Sequence, residues 1–495
     1  MSRAVIVGAG VGGLATAARL SASGHQVVVL EQSDEIGGKL GILRRDGFVF
    51  DTGPSLLTMP HLITELFADT GPPLAEVLTL QRLDVACRYR FPDGTVLDLP
   101  GEATAIPAAL DAALGAGRGA QWTGFMQRAQ RIWDITREPF LESPVTLKDM
   151  IRLSRRLDHV GTVAPWRSLR GLGSAYLEDP RLRMLLDRYA TYTGSDPRRA
   201  PAALAAVPYA EQAFGSWYVP GGLYRIAEAL AERARLHGAQ VRTGTEVIEI
   251  CVRGGRADGV RLADGSVVEA DVVVANVDAA QVYGRLVSGQ RARRAAARIR
   301  RTTPSLSGFV LLLALDHAPA DQPHHQVLFA EDYDAEFDSV FGHASRARPV
   351  ERPTVYISAP DDPATVPSSG ASAWFVLVNA PRHDPVRGVD WDSPGVADDY
   401  ADRVLSVMAS RGLDVRSRVR HRTVLTPADL ARRTLTPGGS IYGTSSNGAS
   451  AAFRRPANRS PISGLYLVGG SAHPGGGLPL VTLSARIVAG IIGPA

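Results

Sequence analysis

Ala4-Val5-Ile6-Val7-Gly8-Ala9-Gly10-Val11-Gly12-Gly13, at the start of the chain, decides the fold. The first four residues form a short β-branched run that reads as a buried parallel strand. Leu14 to Ser23 reads as a helix closed by Gly24, and Gln26-Val27-Val28-Val29-Leu30 as a second strand ending in Glu31. The result is a βαβ unit with G-x-G-x-x-G at Gly8, Gly10 and Gly13. Gly8 serves the tight turn, Gly10 lets the backbone approach a pyrophosphate, and Gly13 lets helix and strand pack closely. The amides and dipole of the helix start favour phosphate, in which Gly12 shares. Glu31 is placed to accept from a ribose 2′-OH and would repel a 2′-phosphate. Glycine-rich turns alone are common; strand, helix and acid together point to an adenine dinucleotide.

Which dinucleotide is settled by the next segment. Ile36-Gly37-Gly38-Lys39 follows, then Asp51-Thr52-Gly53-Pro54-Ser55. Here the chain resembles the flavin-dependent amine oxidase and carotenoid desaturase superfamily, which extends the Rossmann unit with a Gly-Gly-Arg/Lys turn and a later Asp-x-Gly turn. The resemblance implies FAD, with Gly38, Lys39, Gly53 and Pro54 along it. A plain nicotinamide dehydrogenase has no use for this pair of turns.

The 495 residues suggest two or three domains. The formal net charge of +4 does not indicate nucleic acid. Arginine supplies nearly all the positive charge, the lysines being Lys39 and Lys148, and arginine also suits anionic lipid headgroups. Cys87 and Cys251 make neither a disulfide framework nor a metal site, as expected of a reducing cytoplasm. The N-terminal apolar run is broken by glycines, unlike a signal peptide, and no run reaches the roughly 20 residues that span a bilayer. Any membrane contact is therefore expected to be peripheral.

Further along, Met59 to Asp69, Gln121 to Phe140 (Phe125, Ile132 and Trp133 inward), Arg181 to Tyr192, Leu223 to His237 and Asp398 to Ser410 have helical spacing. Val85 to Phe91 and Thr95 to Leu99 flank the turn Pro92-Asp93-Gly94 as a hairpin. Strands are expected at Gln240–Arg242, Val247–Ile250, Gly259–Leu262, Asp271–Ala275, Phe309–Leu315, Thr354–Ser358, Ala373–Val378 and Gly464–Val468. The class is α/β. A Rossmann-like FAD-binding domain is expected from residues 1–80, 215–290 and 455–495. A substrate-binding α+β sheet domain is expected from 81–115 and 295–454, and a helical, membrane-facing subdomain from 116–214. Leu147 to Leu157 mixes apolar residues with Lys148, Arg152, Arg155 and Arg156, a pattern suited to docking on lipid; Arg291 to Arg301 is a weaker version, equally suited to an ordinary surface helix. His324 and His325 read as exposed loop residues, not metal ligands.

The end of the chain narrows the resemblance. Gly469-Gly470-Ser471-Ala472-His473-Pro474-Gly475-Gly476-Gly477-Leu478-Pro479 runs into a helix from Leu480 to Ile492. Together with Trp217 to Gly222, the Ala270-Asp271 run and Gly443, this resembles the bacterial-type carotenoid desaturases over nearly the whole chain. Arg188 to Ser195 and Ala210-Glu211-Gln212 are most similar to a branch acting on conjugated, often 1-hydroxylated acyclic carotenoids, as hydroxyneurosporene desaturases do, rather than on phytoene. The resemblance implies an FAD-dependent desaturase that takes a lipophilic polyene from the inner face of the cell membrane, with hydride leaving an allylic carbon for the flavin. It places Val247 against adenine, and Gly469, Gly470, Gly477 and Leu478 against the flavin, with His473 bracing that loop. Where amine oxidases often carry an acid, Gly470 stands. Lys148 and Asp149 match a basic–acidic pair implied in proton transfer, although a solvated helix face is the commoner use of such a pair. Alternatives on the same fold are a carotenoid terminal-methyl oxygenase, a carotenoid isomerase and an amine oxidase.

Overall fold

The computed structural model describes residues 2–144, 156–342, 346–448 and 451–495. At its base is the unit read from the first residues: β1 (Arg3–Val7), α1 (Val11–Ala22) and β2 (Gln26–Leu30). β1 and β2 are parallel, with Val7 beside Leu30. Three further strands extend the sheet to five, in the order Leu465–Leu467, Val272–Ala275, β1, β2, Gln240–Arg242, all parallel. Beginning, middle and end of the polypeptide thus share one sheet.

Val27 and Val29 of β2 point into one core and Leu30 into another, as strand alternation requires. On the first face, α1 packs with the helices Arg225–Leu236 and Leu478–Ile492. On the second lie a three-stranded antiparallel sheet, Val247–Arg253, Arg256–Leu262 and Val267–Glu269, and the helix Gln290–Arg300. That helix buries Ala292 and Ala296 against the core and leaves Arg291, Arg293, Arg294, Arg298 and Arg300 exposed.

A seven-stranded mixed sheet forms a second layer. Its order is Val419–Leu425, Ser307–Leu315, Ser372–Ala380, Val355–Ser358, His325–Leu328, Val85–Arg90, Val96–Pro100, and only the pair His325–Leu328 with Val85–Arg90 is parallel. The strand Ser307–Leu315 is apolar on both faces. Phe309, Leu311 and Leu313 enter a core closed by the helix Val396–Ser410, while Val310 and Leu312 pack with Phe48 and Phe50 on the side facing the dinucleotide-type sheet.

The third region is helical, built around Arg118–Arg137 and Pro180–Thr191, with Trp122, Phe125, Ile132, Leu185 and Tyr189 fully buried. The stretch expected to dock on lipid, with Lys148 and Asp149, lies outside the described residues. Among the described residues no helix is long and apolar enough to cross a membrane. One expectation fails: His325 is 1% exposed at the start of a strand, with His324 half-buried beside it. Pro-rich flanks masked a four-residue strand whose neighbours on both sides are distant in sequence.

Candidate functional site

The glycine turn after β1 is packed to the limit of contact. Gly8 has a φ of +97°, open to glycine but rarely to other residues. A Cβ on Gly13 would lie 2.2 Å from the Gly8 carbonyl oxygen, so close packing of helix on strand requires its absence. Gly13 accordingly lies beneath the turn and does not line the cavity, whereas Gly8, Gly10 and Gly12 do. No side chain caps α1, whose first-turn amides point where a phosphate would be held. Glu31 is 9% exposed and lines the same cavity; its carboxylate accepts from the amides of Ala9 at 2.7 Å and Ser33 at 3.0 Å. These bonds fix the acid and leave lone pairs for a ribose hydroxyl.

The composition gave no hint of the part played by Asn276, which ends the strand Val272–Ala275. Its Oδ1 lies 2.6 Å from where a Gly10 Cβ would be, and its Nδ2 lies 2.4 Å from where a Gly469 Cβ would be. Nδ2 donates to the Val468 carbonyl at 3.1 Å. One amide side chain therefore spaces the first glycine turn from the last.

The second pair of turns is built around charged groups. The Gly37 amide donates to the Ala9 carbonyl, docking this turn on the first. Lys39 Nζ donates to the carbonyls of Ser440 at 3.0 Å and Ile441 at 2.5 Å; burial pulls its pKa down to about 8 against the pull of Asp278. Its ammonium thus clamps the far side of the cavity mouth. Asp51 accepts from the amides of Leu223 and Tyr224, ahead of the helix Arg225–Leu236, and burial pushes its pKa up to about 6. A Cβ on Gly53 would meet the Lys39 carbonyl at 1.8 Å. Both turns are therefore locked to each other.

The C-terminal loop closes over these turns. Gly477 precedes the helix Leu478–Ile492, again without a side-chain cap. Arg455 donates to the carbonyls of Gly470, Tyr442 and Thr444 and so fixes the loop's course. His473, before a cis proline, is buried with its Nε2 on the Ser143 carbonyl and its own carbonyl on Asn458 and Ser484. It braces the loop from outside the cavity.

One cavity of about 930 Å³ joins all of this. Gly8, Gly10, Gly12, Glu31, Gly38, Lys39, Gly53, Pro54 and Val247 line it together with Gly469, Gly470, Gly477 and Leu478. Beyond the glycine-rich part the wall becomes apolar, formed by Val310, Phe375, Leu377, Val424 and Leu425 of the seven-stranded sheet. Arg188, Tyr192, Tyr356 and Tyr442 are polar groups in that wall. The absent Cβ atoms, the uncapped helix starts and the poised acid fit a dinucleotide-bearing cofactor laid across the sheet. The apolar remainder fits a long, water-insoluble second ligand.

A family model described as flavin containing amine oxidoreductase matches residues 11–492. The chain is 34% identical to a 4,4'-diapolycopene oxygenase of Methylomonas sp., covering 98% of this chain and 97% of that protein. It is 32% identical to a 1-hydroxycarotenoid 3,4-desaturase of Flavobacterium sp. (strain P99-3), covering 99% of each. Among solved structures, wild-type putrescine oxidase bound to putrescine superposes with a TM-score of 0.65 at 15% identity, covering 99% of both chains, a likeness of fold alone.

Proposed function

The chain belongs to the flavin containing amine oxidoreductase family and is an FAD-dependent oxidoreductase; within that family we propose that it desaturates acyclic carotenoids. The observation that carries this reading is the single cavity, glycine-rich at one end and walled by an apolar sheet face along the rest. FAD would supply a two-electron acceptor, so the chain's main task is positioning. Gly8, Gly10 and Gly12 with the α1 amides would hold the pyrophosphate over a turn made possible by Gly13; Glu31 would take the ribose, and Val247 would meet adenine. Gly38, Lys39, Gly53 and Pro54 would flank the middle of the cofactor. Gly469, Gly470, Gly477 and Leu478 would offer backbone N–H groups and an uncapped helix start to the ring, a setting that would favour negative charge there. Val310, Phe375 and Leu377 orient the polyene and exclude water from the allylic carbons that lose hydrogen. Positive charge developing on carbon spreads along the conjugated chain, so the departing proton needs no strong base. Lys148 and Asp149 are the pair proposed to receive it.

A substrate of this kind resides in lipid, which supports peripheral association with the inner face of the cell membrane and a cytoplasmic location. The 34% identity to a diapolycopene oxygenase favours one second reading, oxidation of a terminal methyl group. Anaerobic mixing of the flavin-loaded protein with an acyclic carotenoid in liposomes tests the proposal. Flavin bleaching with a red-shifted polyene spectrum is expected. Bleaching absent without oxygen, with oxygen incorporated into the product aerobically, would instead establish the oxygenase. No change under either condition would overturn both.

A further inference from the structure

We propose that Arg188 reads an oxygen atom on the end group of the substrate, so that the cavity selects hydroxylated acyclic polyenes over the corresponding hydrocarbons; this rests on the desaturase reading above. Arg188, from the helix Pro180–Thr191, is 8% exposed and lines the cavity together with Tyr192, Tyr356 and Tyr442 and with the apolar Val310, Phe375 and Leu377. It makes no ion pair with a carboxylate among the described residues. The nearby acid Glu211 instead accepts from Tyr189 Oη at 2.8 Å. The guanidinium is held by aromatic faces: its carbon lies 5.1 Å from the Tyr192 ring centroid, 5.6 Å from Tyr356 and 5.7 Å from Tyr89.

Its hydrogen bonds are few. Nη1 donates to Tyr192 Oη at 2.7 Å and Tyr89 Oη at 3.4 Å, while Nε and Nη2 have no partner among the described residues. A guanidinium has five N–H donors, and those on Nε and Nη2 are open to the cavity, where a ligand that displaces water without supplying an acceptor leaves them unpaired at a cost. The surrounding groups are fixed rather than adaptable: Tyr356 Oη bridges Ser55 Oγ at 2.8 Å and His325 Nδ1 at 2.9 Å. A hydrocarbon would leave the donors unpaired. A hydroxyl oxygen would accept a charge-assisted bond.

The placement agrees with the chemistry. In a 1-hydroxycarotenoid oxidised at the 3,4 bond, the oxygen sits only three bonds from the nearer reacting carbon, so its reader must lie at the same end of the cavity as the flavin-covering loop. Tyr442, another wall residue, packs so tightly on that loop that a Gly476 Cβ would be 2.6 Å from its ring. Its phenol lies close enough to feel the Arg188 charge.

The test uses flavin-loaded protein in phosphatidylcholine liposomes with a 1-hydroxylated acyclic carotenoid and the hydrocarbon of equal conjugation, following polyene absorbance. The wild-type protein is expected to prefer the hydroxylated substrate by about tenfold or more in kcat/KM. In Arg188→Met the KM of the hydroxylated substrate is expected to rise more than that of the hydrocarbon, and the preference to fall to within about threefold of parity; Arg188→Lys should keep an intermediate preference. A wild-type protein indifferent to the hydroxyl overturns the inference. So does an Arg188→Met protein that keeps flavin and preference alike, or loses both substrates equally. Should Arg188→Met not fold, the wild-type preference and Arg188→Lys decide. Failure to oxidise either polyene overturns the desaturase reading itself, and this inference with it.

Discussion

At the scale of single residues, Asn276 and Asp51 have more to do than their neighbours in sequence suggest. Asn276 spaces two glycine turns and donates to Val468, so Asn276→Ala removes a part-buried bond and the spacer between the two turns. We expect FAD affinity to fall about tenfold, read as flavin lost on gel filtration. Asp51 titrates in the folded protein at about 6 against an ordinary value of 3.8, because burial outweighs the two amides it accepts from. A folded-state pKa above the unfolded one means that the folded protein binds the proton more tightly. Its contribution is therefore greatest at low pH, and stability is lost as pH rises from 3.8 to about 6. Asp51→Asn removes that titration and should flatten the fall in Tm across this window, measured by differential scanning fluorimetry; an unchanged slope would show that Asp51 is not buried as drawn. Neither role was legible in the sequence, where Asn276 marks only the end of a valine run and Asp51 one member of an Asp-x-Gly turn.

At the scale of elements, the strand Ser372–Ala380 shows how alternation builds two surfaces at once. Trp374, Val376 and Val378 enter the core behind the sheet, while Phe375 and Leu377 face the cavity. Leu377→Gln places an amide on the substrate wall without touching the glycine turns. We expect KM for the polyene to rise about tenfold with flavin content unchanged; a loss of flavin would place Leu377 in the wrong part of the cavity. Long apolar strands such as Ser307–Leu315 were visible in the sequence because burial on both faces leaves an uninterrupted hydrophobic run. Val419–Leu425 was not. It lies at the sheet edge, every residue is at least part-exposed, and Arg420, His421 and Arg422 disguise its period. His325–Leu328 was hidden for the opposite reason, being short and packed on both sides by strands remote in sequence. Patterns reveal elements that carry their own signal; elements stabilised by what they pack against do not declare themselves.

At the scale of the whole molecule, the two ends of the polypeptide meet at the site. Gly8, Gly10 and Gly12 line one cavity with Gly469, Gly470, Gly477 and Leu478, bridged by the strand Val272–Ala275 and by Asn276. The glycine signatures at both termini were readable, but their meeting depends on the parallel order Leu465–Leu467, Val272–Ala275, β1, whose outer strand is only three residues long. A ligand that binds only the folded state stabilises it by about 2.7 kcal/mol at a hundred times its Kd, and a ligand touching both ends must distribute that protection to both. Hydrogen exchange on flavin-free and flavin-loaded protein should therefore show amides near residues 9–14 and 469–478 slowing together as FAD is titrated, with the same midpoint. The Ser440–Ile441 segment should follow, because the Lys39 clamp joins it to the second glycine turn. Slowing confined to residues 9–14, with the C-terminal loop unchanged at saturation, would mean that the loop does not cover the cofactor, and that the cavity holds the dinucleotide without the two-ended clasp from which the desaturase chemistry is derived.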